Sequence, residues 1–445
     1  MDDLRRATLA KVTRRIIPFA FICYVVAYVD RVNIGFAARE LQRDLGLTDT
    51  VYGIGAGLFF LGYCLFEIPS NLILDRVGAR VWMARIMVGW GIVSMATMFI
   101  YDTTSFYAAR VLLGIAEAGF FPGIVLYLTY WVPASERAKN NALFMTAAPI
   151  AMIVGAPVSG ALMALDGRLG LQGWQWLFLV EGLPAVLLGV MALWVFTDRP
   201  EQASWLSADE RQWLTRTMDA ERAARNAANV HSSLMSSLTN GKVWLLSSAY
   251  FLNALVTYGV FLWLPKILQD ASGLKGMRLS LITAVPFVVA LVGMIVIGAH
   301  SDRTGERKGH VAACALTAAT GLILAVVFRD NVPLLVLSFA LSQLGQRSVM
   351  SVFWSIPPMI LGGTAAAAGI ALINSIGNLG GAFGPSVMGW LREGTNTYSA
   401  GLLVLATALV IEAVLILSLK LPPPTPRPAA RDADLKLAPP VPSGR

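Results

Sequence analysis

The sequence has little with which to do metal, thiol or nucleotide chemistry. Its three histidines, His231, His300 and His310, all lie in or beside loops. Its three cysteines, Cys23, Cys64 and Cys314, sit within apolar runs and have neither metal-ligand nor redox spacing, so no disulfide framework is implied. No His-Glu-x-x-His, Gly-x-Ser-x-Gly or Gly-x-x-x-x-Gly-Lys-Ser/Thr pattern occurs. These absences argue against an enzyme, a metal site, a bound cofactor and an ATP-driven pump. Charge is scarce as well. Asp, Glu, Lys and Arg make up 14% of the chain, against roughly 25% in soluble domains.

What is abundant is apolar sequence, at 56% of residues and a mean hydropathy of +0.63. The apolar residues come in long blocks, such as 86–100 and 402–419, and not in amphipathic stripes. A block of about 20 apolar residues crosses the roughly 30 Å hydrocarbon core of a bilayer. The pattern predicts twelve spans, near 16–36, 51–74, 82–101, 105–131, 141–165, 174–197, 243–268, 279–300, 311–329, 332–361, 366–391 and 398–421. The charged N-terminus runs straight into the first block without a small-residue cleavage site, so no removable signal peptide is expected. Arg5, Arg6, Lys11, Arg14, Arg15, Arg76, Arg80, Arg137, Lys139, Arg303, Arg307 and Lys308 all fall on one side if the spans alternate. The other side has fewer cations: Arg39, Arg43, Arg168, Lys275 and Arg278. Lys and Arg collect in cytoplasmic loops, which puts both termini in the cytoplasm. The sequence pI near 9.5 is then a consequence of topology, and no nucleic-acid partner is needed to explain it.

Segment 198–242 divides the spans six and six. Ser207-Ala208-Asp209-Glu210 inside it has the form of a capping box and predicts a surface helix over 207–224. The expected organisation is an N-terminal bundle (1–197), a cytoplasmic linker carrying an amphipathic helix (198–242), a C-terminal bundle (243–421) and a disordered tail (422–445) rich in Pro, Ala and charge. The halves share a repeat. Asp75-Arg76-Val77-Gly78-Ala79-Arg80 follows the second span, and Asp302-Arg303-Thr304-Gly305-Glu306-Arg307 follows the eighth. Both read D-R-x-G-x-R. Glycine permits a tight turn, and the arginines can pair with the aspartate and with helix C-termini. The hexapeptides read either as positive-inside loop charge or as a gating latch.

With this repeat the sequence resembles the major facilitator superfamily. Longer strings make it similar to that superfamily's anion:cation symporter family: Tyr28-Val29-Asp30-Arg31-Val32-Asn33, Phe66-Glu67-Ile68-Pro69-Ser70-Asn71, Glu117-Ala118-Gly119-Phe120-Phe121-Pro122-Gly123, Trp205-Leu206-Ser207-Ala208-Asp209-Glu210-Arg211, Phe261-Leu262-Trp263-Leu264-Pro265 and Ile373-Asn374-Ser375-Ile376-Gly377-Asn378-Leu379-Gly380-Gly381. Asn71 departs from the superfamily loop motif, which usually begins with glycine. The family includes bacterial carriers for sugar acids, tartrate, phthalate and hydroxyphenylacetate. The resemblance implies an all-α membrane protein of two pseudo-symmetric six-helix bundles, residing in the bacterial inner membrane as a monomer. It further implies alternating access and import of an organic anion with protons. An antiporter, or a sensor built on a carrier fold, are the alternatives.

The residues themselves support a pathway. Ionisable groups inside a membrane are costly and mark functional sites unless they merely pair with each other. Arg110 and Glu117 are seven residues apart, on one helical face. Asp30 and Arg31 point about 100° apart, while Tyr24, Tyr28 and Arg31 share a stripe. Arg31 and Arg110 are candidates to hold a carboxylate through paired hydrogen bonds, with Tyr28 and Tyr63 as donors. Asp30 and Glu117 are candidates to carry protons, since a substrate competing for an arginine frees its carboxylate partner to accept one. The resemblance implies these roles for Asp30, Arg31, Tyr63, Arg110 and Glu117; a static ion-pair scaffold is the plainer reading. In the second half Gln343, Arg347, Ser351 and Trp354 share a face, as do Asn374 and Asn378, while Tyr250, Asn253 and Thr257 fall within one stripe. Arg347, Ser351, Trp354, Asn374 and Asn378 are read as substrate-facing, with Arg347 placed for a second carboxylate. Gly377/Gly381 and Gly380/Gly384 provide small-xxx-small packing surfaces. Glu67, Glu181 and Glu412 are expected to be structural or interfacial, with Glu67 reaching loop arginines.

Overall fold

The computed structural model describes residues 2–228, 239–360 and 365–420. His231, the 229–238 part of the linker and the tail 422–445 lie outside the described residues. Among the described residues there is no strand. The apolar blocks form helices, as they must where only intrachain hydrogen bonds can satisfy the backbone.

In the first half these are α1 (Asp2–Leu45), α2 (Asp49–Val77), α3 (Ala79–Ala96), α4 (Thr103–Glu117), α5 (Phe120–Trp131), α6 (Ala134–Met145), α7 (Ala147–Met163) and α8 (Gly173–Val195). The connecting segment holds α9 (Ala208–Ala228). The second half has α10 (Gly241–Ser272), α11 (Gly276–Thr304), α12 (Lys308–Val327), α13 (Val332–Phe353), the short α14 (Pro357–Ile360), α15 (Ala365–Thr395) and α16 (Ser399–Ser418). Local signals set several starts. Thr48 caps α2, Asp102 and Ser105 form a capping box on α4, and Asn331 caps α13 ahead of Pro333.

The fourth expected span is broken. Gly119 adopts φ 87°, in the left-handed region, against Ser70 and Asn71 of α2, so α4 ends at Glu117 and α5 begins at Phe120. A side chain there would be strained and would meet Ser70. The fifth span is likewise divided, at Thr146, between α6 and α7. Among the described residues, ten helical rods are long and apolar enough to cross a membrane. Of the twelve expected spans, α13 and α15 fall outside that set. Gln343, Gln346 and Arg347 dilute α13, and asparagines and glycines dilute α15. Both are packed among their neighbours, α13 between α11 and α12 and α15 between α2 and α10.

The packing repeats between the halves. In the first bundle α2 lies on α4 and α3 on α8; in the second α11 lies on α13 and α12 on α16. Across the seam α2 meets α15, α7 meets α11, and α1 meets α10. Large apolar side chains such as Leu65, Trp194, Val327 and Trp390 remain about two-thirds exposed on the outside, where lipid would cover them.

The bonds that join the bundles concentrate at the end bearing the 46–48 and 273–275 loops. There Lys266 of α10 pairs with Asp49 and Gln42, Gln269 bonds Glu40 at 3.3 Å, Arg39 faces Asp270 at 3.6 Å, and Glu393 accepts from the Thr50 N–H at 2.9 Å. Tyr52 donates across the seam to the Leu262 carbonyl at 3.2 Å. At the opposite end lie the two D-R-x-G-x-R loops, each turning on a glycine, Gly78 (φ 100°) and Gly305 (φ 70°). Each loop is tied within its own bundle to the end of the sixth rod. Asp75 accepts from Tyr130 at 2.7 Å and faces Arg199 at 3.6 Å, and the Arg80 N–H donates to Asp198. In the repeat Asp302 pairs with Arg307 at 2.7 Å, and Lys308 donates to the Leu419 carbonyl.

The expected capping box is present. The Ser207 N–H donates to Glu210 at 2.9 Å, and the Glu210 N–H to Ser207 Oγ at 3.3 Å. The helix is docked on the first bundle by Lys11–Glu210 at 2.7 Å, Arg137–Glu221 at 3.1 Å and burial of Leu214 and Met218. Just before the helix, Trp205 stacks on Trp131 with centroids 5.3 Å apart.

Candidate functional site

Arg31 of α1 faces the seam between the bundles. Its guanidinium pairs with Glu117 of α4, both groups being buried. The other face of Arg31 is aromatic. Its Cζ lies 5.6 Å from the Tyr28 ring, 5.3 Å from Phe59 and 5.3 Å from Tyr63, a setting that holds a cation after desolvation. Nη1 reaches across the seam to the Tyr258 hydroxyl at 3.5 Å. Arg347 approaches the same aromatic cluster from the second bundle. Its Cζ is 5.4 Å from the Phe261 ring, which in turn lies 6.1 Å from Tyr28, and the Tyr28 hydroxyl faces Arg347 and Tyr258. Two guanidinium groups, one from each bundle, therefore flank Tyr28, Tyr258 and Phe261. Only Arg31 has a carboxylate partner; Arg347 makes no ion pair among the described residues.

Arg110 lies behind this site. It is 1% exposed, its Cζ sits 5.1 Å from Phe59, and none of its three guanidinium nitrogens has a hydrogen-bond partner among the described residues. Asp30 and Glu117 are its nearest opposite charges, but Glu117 is taken by Arg31. Asp30 points into the first bundle, where Ser94 and Asn33 donate to it. Asp30 and Arg31 thus serve different surroundings, as their helical angle requires. Glu181 lies deeper in the same bundle and accepts from Ser159 at 2.7 Å.

In the second bundle Asn378 is 3.4 Å from the Tyr250 hydroxyl, and Trp354 packs edge-on to Tyr250 at 5.1 Å. Asn374 donates to Glu67 at 3.0 Å. Ser351 is exposed, bonded to the Ser348 carbonyl and facing Gly298 of α11, so it does not join Arg347. Gln343 is buried with its Oε1 unpartnered among the described residues. Asn253 and Thr257 tie helices together: Gln346 donates to the Asn253 carbonyl and to Thr257, and Asn253 donates to Glu412 at 3.1 Å. The glycine stripes of α15 divide. Gly380 and Gly384 approach the α10 backbone at Phe251 and Leu255, Gly377 lies against Tyr250, and Gly381 crosses the seam to Phe60.

One site residue, Tyr258, escaped the sequence reading, and Glu67, read as structural or interfacial, has a different partner from the one expected. Tyr258 follows Thr257 directly and points about 100° away from it, across the seam to Arg31 and not into the second bundle with Asn253 and Thr257. Glu67 follows Tyr63 by one turn on the same face, and it meets Asn374 in place of the loop arginines expected for it.

A fold of paired six-helix bundles with a charged, aromatic seam is that of a membrane transport protein. The sequence matches the Major Facilitator Superfamily over residues 20–308 and 246–444, and the chain belongs to that family. A candidate tartrate transporter of Agrobacterium vitis is 50% identical over 418 residues, covering 94% of this chain and 96% of the relative. A quinolone resistance transporter of Acinetobacter baumannii is 39% identical over 417 residues, covering 93% and 95%. Among solved structures, the partially occluded inward-open xylose transporter XylE of E. coli superposes with a TM-score of 0.72 at 15% identity, covering 92% of this chain and 98% of that one. This last likeness speaks for the fold alone.

Proposed function

We propose that the protein is a proton-coupled symporter that imports a small organic carboxylate, with a dicarboxylate of tartrate's size as the best-suited class. The observation that carries this reading is the pair of guanidinium groups, Arg31 and Arg347, contributed by opposite bundles to one aromatic cluster. A dianion spanning them gives each arginine a carboxylate and draws the bundles together. Planar guanidinium groups suit that task because each can meet a carboxylate with two parallel hydrogen bonds. The tartrate assignment of the relative at 50% identity supports the substrate class.

Coupling follows from competition. Glu117 and an incoming carboxylate both need Arg31, and binding a proton at Glu117 releases the arginine to the substrate. Asp30 is the second candidate proton carrier, behind the pair. Arg110 supplies positive charge from the rear, and Tyr28, Tyr63, Trp354, Asn374 and Asn378 line the way. The lysine and arginine distribution supports cytoplasmic termini. The end closed by Lys266, Asp49 and Glu393 then faces outward, and its bonds must break for substrate to enter. The D-R-x-G-x-R loops, through Asp75, Arg76, Arg80, Asp302, Arg303 and Arg307, act as latches at the cytoplasmic end. The monomer is the transporting unit.

Uptake of labelled tartrate by the purified protein in liposomes, driven by an inward proton gradient and abolished by a protonophore, tests the reading. The quinolone resistance relative favours a second one, exchange of an organic ion against protons. Accumulation driven by the opposite pH gradient would select exchange.

A further inference from the structure

Glu67 is a buried carboxylate that the coupling scheme above does not use. It sits on α2 one turn beyond Tyr63, is 5% exposed, and forms a hydrogen bond across the seam, accepting from Asn374 Nδ2 at 3.0 Å. Asn378 presents a second amide to it, and its Oε2 has no partner among the described residues. The charged and titratable groups that face it are Arg31 from α1, Tyr63 and Cys64 from its own helix, and Tyr250 from α10. From α15 it meets only the two neutral amides. No cation lies within ion-pair distance of it among the described residues.

A buried carboxylate held by amides alone is costly while ionised. Binding a proton removes the charge and turns the orphan oxygen into a donor that an asparagine carbonyl can accept. The place of the group matters too. The Tyr63 ring covers Arg31, and Glu67 comes next on that face toward the D-R-x-G-x-R end. An anion leaving Arg31 in that direction passes Glu67. An ionised Glu67 repels it, whereas a protonated one does not.

We infer that Glu67 is a proton-carrying group of the transport cycle, additional to Glu117 and Asp30, stationed on the exit side of Arg31 and joined to the second bundle through Asn374. In the loaded passage its carboxylate holds one proton. After the anion has left, the O–H bond breaks, the proton passes to water at the exit, and the carboxylate accepts again from Asn374. This inference rests on the carrier reading above.

The test is the reversal potential of tartrate-driven proton flux through full-length protein in liposomes, measured together with tartrate counterflow. Glu67→Gln keeps an oxygen for Asn374 but cannot titrate. The expected result is a coupling ratio one proton lower than wild type with counterflow retained, and recovery of the ratio in Glu67→Asp. An unchanged ratio in Glu67→Gln overturns the inference and leaves the carrier reading standing. Loss of counterflow in Glu67→Gln also overturns it, since Glu67 is then a structural tie. A wild-type protein that neither accumulates nor exchanges tartrate overturns both.

Discussion

Glu117→Gln isolates the competition on which coupling depends. In the wild-type protein the Arg31 guanidinium is buried and its carboxylate partner is Glu117. Glutamine preserves shape and offers a neutral oxygen, but it leaves the buried cation uncompensated. Breaking such a pair costs about 3–5 kcal/mol, and the penalty weighs on the empty protein. A substrate carboxylate at Arg31 restores the missing charge and recovers part of it. Recovery of only about 1.4 kcal/mol raises affinity roughly tenfold. The variant should therefore bind tartrate at least about tenfold more tightly than wild type at alkaline pH, where wild-type Glu117 competes as a carboxylate. Its affinity should lose most of its pH dependence, and uphill accumulation should disappear while counterflow persists. Titration calorimetry across pH, with counterflow and gradient-driven uptake in liposomes, measures all three. Wild-type pH dependence of binding in Glu117→Gln, or normal accumulation, would refute the competition argument. Weaker binding at every pH would assign Glu117 to holding Arg31 in place.

Arg347→Gln should weaken a dicarboxylate by about 2–5 kcal/mol, the cost of truncating one side of a buried charge pair, and a monocarboxylate far less; competition binding with the two probes compares them. Arg110→Gln should lose most transport because the positive charge behind the pair is removed, whereas Arg110→Lys, which keeps that charge, should retain much more; uptake normalised to protein level measures both. In a cysteine-free background, Gln212→Cys on α9 should react with an impermeant thiol reagent only after cells are opened, and Tyr101→Cys, which is 78% exposed between α3 and α4, should react in intact cells; the reverse pattern would invert the topology. The Lys11 ammonium and the Ser207 N–H hold the Glu210 carboxyl below the usual carboxylate range. A depressed folded-state value stabilises docking of α9 above the ordinary carboxylate range, and that contribution is lost as pH falls through the depressed value. The protection of α9 against hydrogen exchange, taken relative to the intrinsic rate at each pH, should fall on acidification, and Glu210→Gln should show the lowered protection already at neutral pH.

The fold was legible because its signals are local. Apolar block length, loop charge and the repeated D-R-x-G-x-R each follow from a few neighbouring residues and from the cost of exposing backbone to lipid. The breaks at Gly119 and Thr146 were missed because a block's hydropathy carries no record of one residue's backbone angle. The intramembrane residues Asp30, Arg31, Arg110, Glu117 and Arg347 stood out by sequence for the same reason that they are rare, the cost of charge in a membrane.

Their partners were not legible. Seven-residue spacing put Arg110 and Glu117 on one face of a helix but did not say which arginine Glu117 pairs with. The tertiary structure gives Glu117 to Arg31 and leaves Arg110 behind Phe59. Helical periodicity says which side of a rod a residue occupies, not which of several neighbouring rods comes nearest. Glu67 looked equally able to reach the loop arginines, and only the seating of α15 against α2 puts Asn374 beside it. Lys266 gave no signal at all, because its partners Gln42 and Asp49 lie more than two hundred residues away in sequence. The sequence by itself determined which residues must lie in the membrane and which of them are charged, since transfer to lipid is a property of each segment alone. Which charges meet across the seam was decided by the packing of two bundles, whose contacts exist only once both have formed.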